Sequence, residues 1–469
     1  MMELANKTVT VVGLGVTGIA VARFLKKRGA KVCVSDQAVE QTLGPLPQGL
    51  REMGIAVELG HQKSQSFHKA DLVVLSPGVP HTIEPIERAK QQGIPVIGEV
   101  ELASRFIDEP ILAITGTNGK TTTTEILGKM LKDSGLKVFV GGNIGNPLID
   151  YLEENQKADF IVAELSSFQL DTIDTFRPRV GVLLNITADH LDRYSSFDAY
   201  AASKIRIFAN QRPEDIAVLN GSDPMVRLLT KPLKKTKIYY ASLKKGEDGA
   251  VNNGTRIWFR FNESQKRDPK GYLANLISHD HSFLDVTKVK LIGRHNLENA
   301  AAAALAALAA GASPKTVQES LNRYQGPAHR LEHIDMIHGV DFINDSKATN
   351  VDAVIRAVES FSEPVVLIMG GQDKGGDFSR LKEVLAGHVK RLIVMGSAAS
   401  LLQSQLGDTV PTISVLAMAD AVKQAYRVVS PGNVILLSPG CASFDAYDNY
   451  AQRGEDFKKA VKNFKLQLS

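Results

Sequence analysis

Cysteine is nearly absent, with Cys33 and Cys441 the only two in 469 residues. Two thiols so far apart form no disulfide framework, which fits a reducing compartment and excludes a small cross-linked secreted scaffold. Long apolar runs are missing too: the longest, Ala300 to Ala312, falls short of the ~20 residues a spanning helix needs. The start, Met1 to Thr8, carries no charged segment leading into an apolar core, so no signal peptide is expected. Charge of one sign is scarce, since 55 Lys and Arg against 51 Asp and Glu leave a net +4. Such a balance argues against nucleic acid or membrane as partner, although local basic clusters can still hold phosphates. No tandem repeat emerges. The expected class is a soluble cytoplasmic enzyme.

What is present is an ordinary globular composition, 43% hydrophobic and 23% charged. At this length two to three domains are expected. Short apolar runs alternate with helical periodicity, which predicts an α/β fold with mostly parallel sheets. A first series of strands comprises Val9 to Val12, Lys31 to Ser35 and Asp71 to Leu75. A second runs from Ile111 to Thr115 through Lys137 to Val140 and Phe160 to Glu164 to Val180 to Asn185. A third starts near Val340 and continues through Val365 to Met369, Arg391 to Met395 and Val434 to Ser438. Three series predict three domains, 1–98, 99–326 and 327–469, with Gly326-Pro327 as the hinge signal. Residues 245–290 mix Gly, Asn and Lys with short β-type runs and are expected to be surface hairpins of the middle domain. The alanine-rich stretch after Asn299 is expected to be a closely packed helix.

The sharpest motif is Gly116-Thr117-Asn118-Gly119-Lys120-Thr121-Thr122, between an apolar strand and a helix. There, backbone N–H groups and a helix N-terminus cradle phosphates. Lys120 would reach the β- and γ-phosphates, and the Thr121 hydroxyl would ligate Mg²⁺. The generic pattern carries a glycine where this chain has Ile114, so the loop is a variant. It predicts binding of ATP or GTP. Earlier, Gly13-Leu14-Gly15-Val16-Thr17-Gly18 follows a strand and opens a helix, and Asp36 ends the next strand. This has the form of a dinucleotide fingerprint, but the same turn holds any diphosphate. A nicotinamide enzyme, another nucleotide and a purely structural turn all stay open. Ser76-Pro77-Gly78 follows a further strand and would line the same crevice.

Several other segments belong with these: Glu164 to Gln169, Asn185 to Asp192, Lys204, Gly293 to Asn296 with Asn299, and His329-Arg330. Asn344 to Asn350, Gly370 to Lys374, Ser438 to Asp445 and Arg453-Gly454 complete the set. In this order and spacing they resemble the Mur ligases of peptidoglycan synthesis, over essentially the whole chain. The segments Asn344 to Asn350 and Ser438 to Arg453 are similar to the members that add D-glutamate. A sibling ligase or a folylpolyglutamate synthase is the nearest alternative.

The resemblance implies a Rossmann-like first domain, a central P-loop ATPase-type domain and a Rossmann-like third domain. It implies an ATP-dependent ligase, working as a monomer in the cytoplasm. The enzyme would join D-glutamate to UDP-N-acetylmuramoyl-L-alanine through an acyl phosphate, and two Mg²⁺ ions are implied. Thr121 and Glu164 would hold one, with His190 and an N-carboxylated Lys204, a CO₂-derived carbamate, serving the other. Lys120, His190 and Lys204 would form the catalytic set. Taken alone, His190 reads as a loop histidine and Lys204 as a solvated lysine.

ATP would be bound by Gly116, Thr117, Asn118, Gly119, Lys120, Thr121 and Thr122, with Asn299 on the adenine side, Arg330 on the phosphates and Asp345 on the ribose. The UDP-linked substrate would meet Leu14, Gly15, Val16 and Thr17 at its phosphates and Asp36 near uracil. Ser76, Pro77 and Gly78 would line the same crevice, and Asn143 and Ser167 would contact the muramoyl-alanine portion or the water shell of the metal. D-Glutamate would be held by Lys347, Thr349, Lys374, Ser443 and the backbone N–H of Phe444. Tyr450 would close that pocket, and Cys441 is read as structural because acyl phosphate chemistry needs no thiol.

Overall fold

The structure, a computed structural model, describes residues 2–60, 64–153, 157–189, 193–233, 237–242, 247–253, 255–260, 283–289 and 293–468. Apolar runs such as Leu72–Leu75, Ile111–Thr115 and Val365–Gly370 are buried along their whole length, as strands covered on both faces must be. They build three sheets.

The first sheet contains β1 (Thr8–Val12), β2 (Lys31–Asp36), β3 (Ala56–Leu59), β4 (Leu72–Leu75) and β5 (Val96–Gly98), in the order β3-β2-β1-β4-β5. All its pairings are parallel. The order reverses between β1 and β4, so the loops leaving those two strands flank a crevice at their carboxyl ends.

Among the described residues the second sheet has nine strands: β6 (Ile111–Thr115), β7 (Val138–Gly142), β8 (Phe160–Glu164), β9 (Val180–Leu183), β10 (Ile216–Leu219), β11 (Lys237–Ala241), β12 (Gly249–Asn252), β13 (Arg256–Arg260) and β14 (Phe283–Asp285). Their order is β14-β13-β12-β11-β10-β9-β6-β8-β7. The strand carrying the phosphate-loop motif thus sits at a switch point between β8 and β9. The described part of 245–290 includes an antiparallel hairpin, β12 with β13, as expected, and it is built into the second sheet. There β12 pairs parallel with β11, and β13 and β14 extend the same sheet antiparallel. In β13 Ile257 and Phe259 are buried while Arg256 and Arg260 are exposed, the period of two that seats a strand on a core. Residues 261–282 lie outside the described residues.

The third sheet holds β15 (Glu332–Ile337), β16 (Val340–Asn344), β17 (Val365–Gly370), β18 (Val389–Met395), β19 (Thr412–Ser414) and β20 (Val434–Leu437), in the order β15-β16-β20-β17-β18-β19. Only β15 is antiparallel to its neighbour. Alternate residues of β17 enter different cores, Val365, Leu367 and Met369 on one face and Val366 and Ile368 on the other.

The chain divides into two compact units. One comprises Met1–Thr287 with Glu298–Leu321, holding the first two sheets, and the other Lys288–Leu297 with Asn322–Ser469, holding the third. Inside the first unit Glu101, fully buried, ties the helix after β5 to the second sheet. It accepts from the backbone N–H groups of Asp174, Thr175 and Phe176 and from the Thr175 hydroxyl. The alanine-rich stretch lies in the helix Arg294–Ala309, where Ala300 to Ala309 are all buried.

Candidate active site

The phosphate-loop motif leaves β6 at a switch point and enters the helix Lys120–Asp133. Two of its glycines are required by their backbone. Gly116 has φ +156°, and Gly119 has φ +85° with an Asn299 oxygen 2.4 Å from where a Cβ would stand. Ile114, where the generic pattern has glycine, is a buried strand residue in register with Glu164 and Val182. The strand therefore runs on through this position and the turn begins at Gly116. Asn185 braces the loop: its side-chain oxygen accepts from Asn118 N (2.8 Å), and its Nδ2 donates to Asn118 O (3.0 Å). Thr117 Oγ1 accepts from Thr187 N (3.0 Å) and lies 3.0 Å from the Tyr200 hydroxyl.

Two lysines meet on one carbonyl. Lys120 Nζ donates to the oxygens of Gly116 and Thr117, both at 3.0 Å. Lys204, in the helix Phe197–Ile205 and 2% exposed, donates to the same Gly116 oxygen at 2.9 Å. Burial holds the Lys204 amine well below the ordinary lysine range, and the nearby charge of Lys120 adds to the effect. Glu164 closes β8 beside this loop, 2% exposed. Its Oε1 accepts from Asn143 Nδ2 (2.8 Å), while its Oε2 is buried with no hydrogen-bond partner.

An orphaned buried carboxylate oxygen is expensive unless something else satisfies it. A hard cation such as Mg²⁺ is the kind of group that fits. Among the described residues no group of three or more His, Cys, Asp or Glu side chains converges as a metal site. His190 lies outside the described residues, so of the residues expected to hold metal only Thr121, Glu164 and Lys204 are described.

The crevice of the first sheet is a cavity of about 560 Å³. Every residue expected to hold the UDP-linked substrate lines it except Ser167, joined by Gly142, Gly145, Pro147 and Gln169 from the second sheet's side. Ser167 is buried in the neighbouring turn, which Ser166 and Gln169 close as a capping box. Asp36 does more than face the cavity. Its oxygens accept from Leu14 N (2.5 Å) and Ala38 N (2.8 Å), so the carboxylate holds the glycine turn in place. Gly18 lets the helix approach, because a Cβ there would stand 1.8 Å from Gly13 O.

The third sheet gathers its expected residues on loops after β16, β17 and β20. Asp345 is buried, accepting from the Ser438 hydroxyl (2.9 Å) and Leu331 N (3.3 Å), and burial raises its pKa to about 7. Arg330 lies between His329 and Leu331, both at positive φ, and its Nε is buried with no hydrogen-bond partner. His295 is held neutral by burial and by the charges of Arg356 and Arg330, its pKa pushed down to about 4. Lys347 Nζ lies 5.2 Å from the Tyr450 ring centroid, which gives that tyrosine a partner the sequence did not supply. Lys374 Nζ lies 6.0 Å from the ring of Phe444, itself 65% exposed. Ser443 is buried and Thr349 half-buried.

Comparison with known proteins agrees with this geometry. A Mur ligase MurD-like N-terminal domain matches residues 7–98, the Mur ligase middle domain residues 114–307, and the Mur ligase glutamate ligase domain residues 329–441. The chain belongs to the Mur ligase family. A UDP-N-acetylmuramoylalanine–D-glutamate ligase of Desulfatibacillum aliphaticivorans is 48% identical over 98% of this chain and 99% of its own. One of Desulfosudis oleivorans is 46% identical over 99% and 98%. A pseudomurein peptide ligase type C from Methanothermus fervidus, solved structurally, is 19% identical with a TM-score of 0.59, covering 98% of this chain and 100% of its own. That last likeness shows the fold.

Two residues of this Mur ligase gained a place that sequence reading did not give them. Asn185 grips the phosphate loop; in the sequence it ended a strand run and opened a segment shared with the family, without a role of its own. Arg453 is buried at the head of the helix Tyr450–Leu468. In the sequence it stood in a motif without a role, because its partners are up to 107 residues away.

Proposed function

We propose that this Mur ligase joins D-glutamate to UDP-N-acetylmuramoyl-L-alanine with ATP, in peptidoglycan precursor synthesis. The observation that carries the reading is the convergence of Lys120 and Lys204 on the Gly116 carbonyl, beside a Glu164 oxygen that has no partner. The relatives named D-glutamate ligases, alike over nearly the full chain, support the same substrates.

A substrate carboxylate oxygen attacks the γ-phosphorus of ATP, the bond to ADP breaks, and an acyl phosphate forms. The amine of D-glutamate then attacks the acyl carbon and loses a proton, and inorganic phosphate leaves. The first step brings an anion against a polyanion, so fixed positive charge must be in place beforehand. Lys120 and the N-terminus of its helix supply it. Mg²⁺, when bound, would neutralise further phosphate charge. Thr121 and Glu164 are the residues to hold one ion, with His190 and Lys204 serving a second. Burial lowers the Lys204 pKa and so favours the neutral amine, the form whose nitrogen can bond to CO₂ and, on losing a proton, become a carbamate anion.

Phosphates would rest on Gly116, Thr117, Asn118, Gly119 and Thr122. Asn299 would serve the adenine side, Arg330 the phosphates and Asp345 the ribose. The cavity lined by Leu14 to Thr17, Asp36, Ser76 to Gly78 and Asn143 would take the UDP-linked substrate, with Ser167 beyond it. Lys347, Thr349, Lys374, Ser443 and Phe444 N–H would take D-glutamate, whose two carboxylates call for cations and several donors. We place the domain boundaries at 98 and 326. We read the enzyme as a cytoplasmic monomer that works on small molecules, without nucleic acid or membrane.

The test is phosphate release with ATP, Mg²⁺, UDP-N-acetylmuramoyl-L-alanine and D-glutamate, omitting each in turn. Release should require all four. Turnover with another amino acid and none with D-glutamate would overturn the assignment. Lys374→Ala should lower kcat/KM for D-glutamate by about 10²-fold, as loss of a charged partner does; full activity would remove Lys374 from the site.

A further inference from the structure

The residues we assign to the amino-acid subsite stand on three separate loops. Lys347 and Thr349 follow β16, Lys374 follows β17, and Ser443 and Phe444 follow β20. Loops hold a precise geometry only when something orders them. Arg453, 2% exposed, reaches all three. Its Nε donates to Ser346 Oγ (3.0 Å) and its Nη2 to Ser346 O (2.9 Å), next to Lys347. Nη1 donates to Gly370 O (3.2 Å), where the second loop begins. Nη1 also reaches Ala442 O (3.2 Å) and Nη2 reaches Cys441 O (3.1 Å), next to Ser443.

These bonds engage the whole fork of guanidinium donors, and none of them goes to a carboxylate. Burial lowers the Arg453 pKa to about 10, which leaves the cation charged at neutral pH. The Asp445 charge favours the cation, but burying a charge without a carboxylate bonded directly to it is costly, and an apolar side chain would fill a core position with less penalty. The surrounding packing has the same focus. A Cβ on Gly371 would stand 2.1 Å from Ala442 O and 2.9 Å from Arg453 Nη1, and one on Gly454 would stand 2.1 Å from His329 Nδ1.

We propose that Arg453 is the positioning residue of the acceptor site: by binding Ser346, Gly370, Cys441 and Ala442 it sets the three loops in the register that recognises the incoming amino acid, without touching it. The proposal rests on the reading of these loops as the amino-acid subsite. Lysine would keep the charge but lose the planar fork.

The experiment measures KM for each of the three substrates, the preference for D-glutamate over D-aspartate and L-glutamate, and thermal melting, in the full chain carrying Arg453→Lys. We expect KM for D-glutamate to rise about tenfold or more and the preference to relax, with KM for ATP and for the UDP-linked substrate within about twofold. Arg453→Ala should show a larger rise, reduced by added guanidinium. Ser346→Ala, which removes one partner and disturbs the core less, should raise KM for D-glutamate a few-fold, and it carries the test if the arginine variants do not fold. Equal rises in all three KM values, or a folded Arg453→Lys or Ser346→Ala with wild-type KM and preference, would overturn the proposal. A wild-type chain that ignores D-glutamate would instead overturn the functional reading. The same measurements on the amino acid it does use would still decide the role of Arg453.

Discussion

The turn after β1 and the turn after β6 are both strand–glycine–helix junctions at a switch point between parallel strands, yet they differ in what stands inside them. The first holds a carboxylate: Asp36 accepts from Leu14 N and fixes the turn through its backbone. The second holds amine nitrogens, those of Lys120 and Lys204 on the carbonyl of Gly116, and a buried Glu164 oxygen in want of a partner close by. A backbone of this shape favours phosphates in either place. Only the second gathers the positive charge and hard oxygen donors that a reacting phosphoryl group needs. In the function we propose, binding and chemistry are divided between two similar turns by the side chains that distant segments bring to each.

The largest test of this contrast is Lys120→Ala. It should lower kcat/KM by about 10³-fold, the loss expected when a preorganised transition-state charge is removed. Binding of the UDP-linked substrate, followed by calorimetry, should stay within about twofold; a matching loss there would erase the distinction between the turns. Gly18→Ala is the converse test. Its new Cβ would meet Gly13 O, and such overpacking costs about 1–3 kcal/mol. Affinity for the UDP-linked substrate should fall while KM for ATP changes little, and an equal fall in both would show the two turns to be one coupled site.

The smallest expected effect lies where the two sheets join. Glu99 is buried, accepts from Ile149 N (2.7 Å), and has its Oε2 without a partner. Burial raises its pKa from 4.5 to about 7. A carboxyl group raised on folding binds its proton more tightly in the folded chain. Its contribution to stability is therefore complete below pH 4.5 and is lost as the pH climbs through about 7. Glu99→Gln keeps the shape without the charge. Relative to wild type it should gain about 2–3 kcal/mol between pH 5 and pH 8 in urea unfolding. A constant difference across that range would show that Glu99 does not titrate in this window.

Much of the fold could be read in advance because its signals are consecutive residues. The strands at Val9 to Val12, Ile111 to Thr115 and Phe160 to Glu164 are continuous apolar runs, and both glycine turns follow such runs directly. Strand β15 was missed because Glu-His-Ile-Asp-Met-Ile carries its polar residues on a sheet edge, where burial does not enforce a pattern. Ile114 weakened the phosphate-loop match in sequence terms; in the structure it is the last stretch of a buried strand. The site was harder to read than the fold. Lys204 alone looks like a solvated lysine, and the resemblance to Mur ligases gave it a role. What makes it an unusual amine is burial beside Lys120, which no local spacing encodes.

By itself, then, the sequence determined the α/β architecture, the two glycine turns and the candidate residues of a nucleotide-using ligase. Hydrophobic periodicity and turn chemistry act over a few neighbouring positions, so they can be read one segment at a time. Only the tertiary structure decided that Asp36 secures a turn, that Glu164 keeps an oxygen without a partner, and that Arg453 draws Ser346, Gly370, Cys441 and Ala442 together. Those properties are desolvation and hydrogen-bond geometry between segments up to 107 residues apart, and they exist only once the chain has brought the segments into contact.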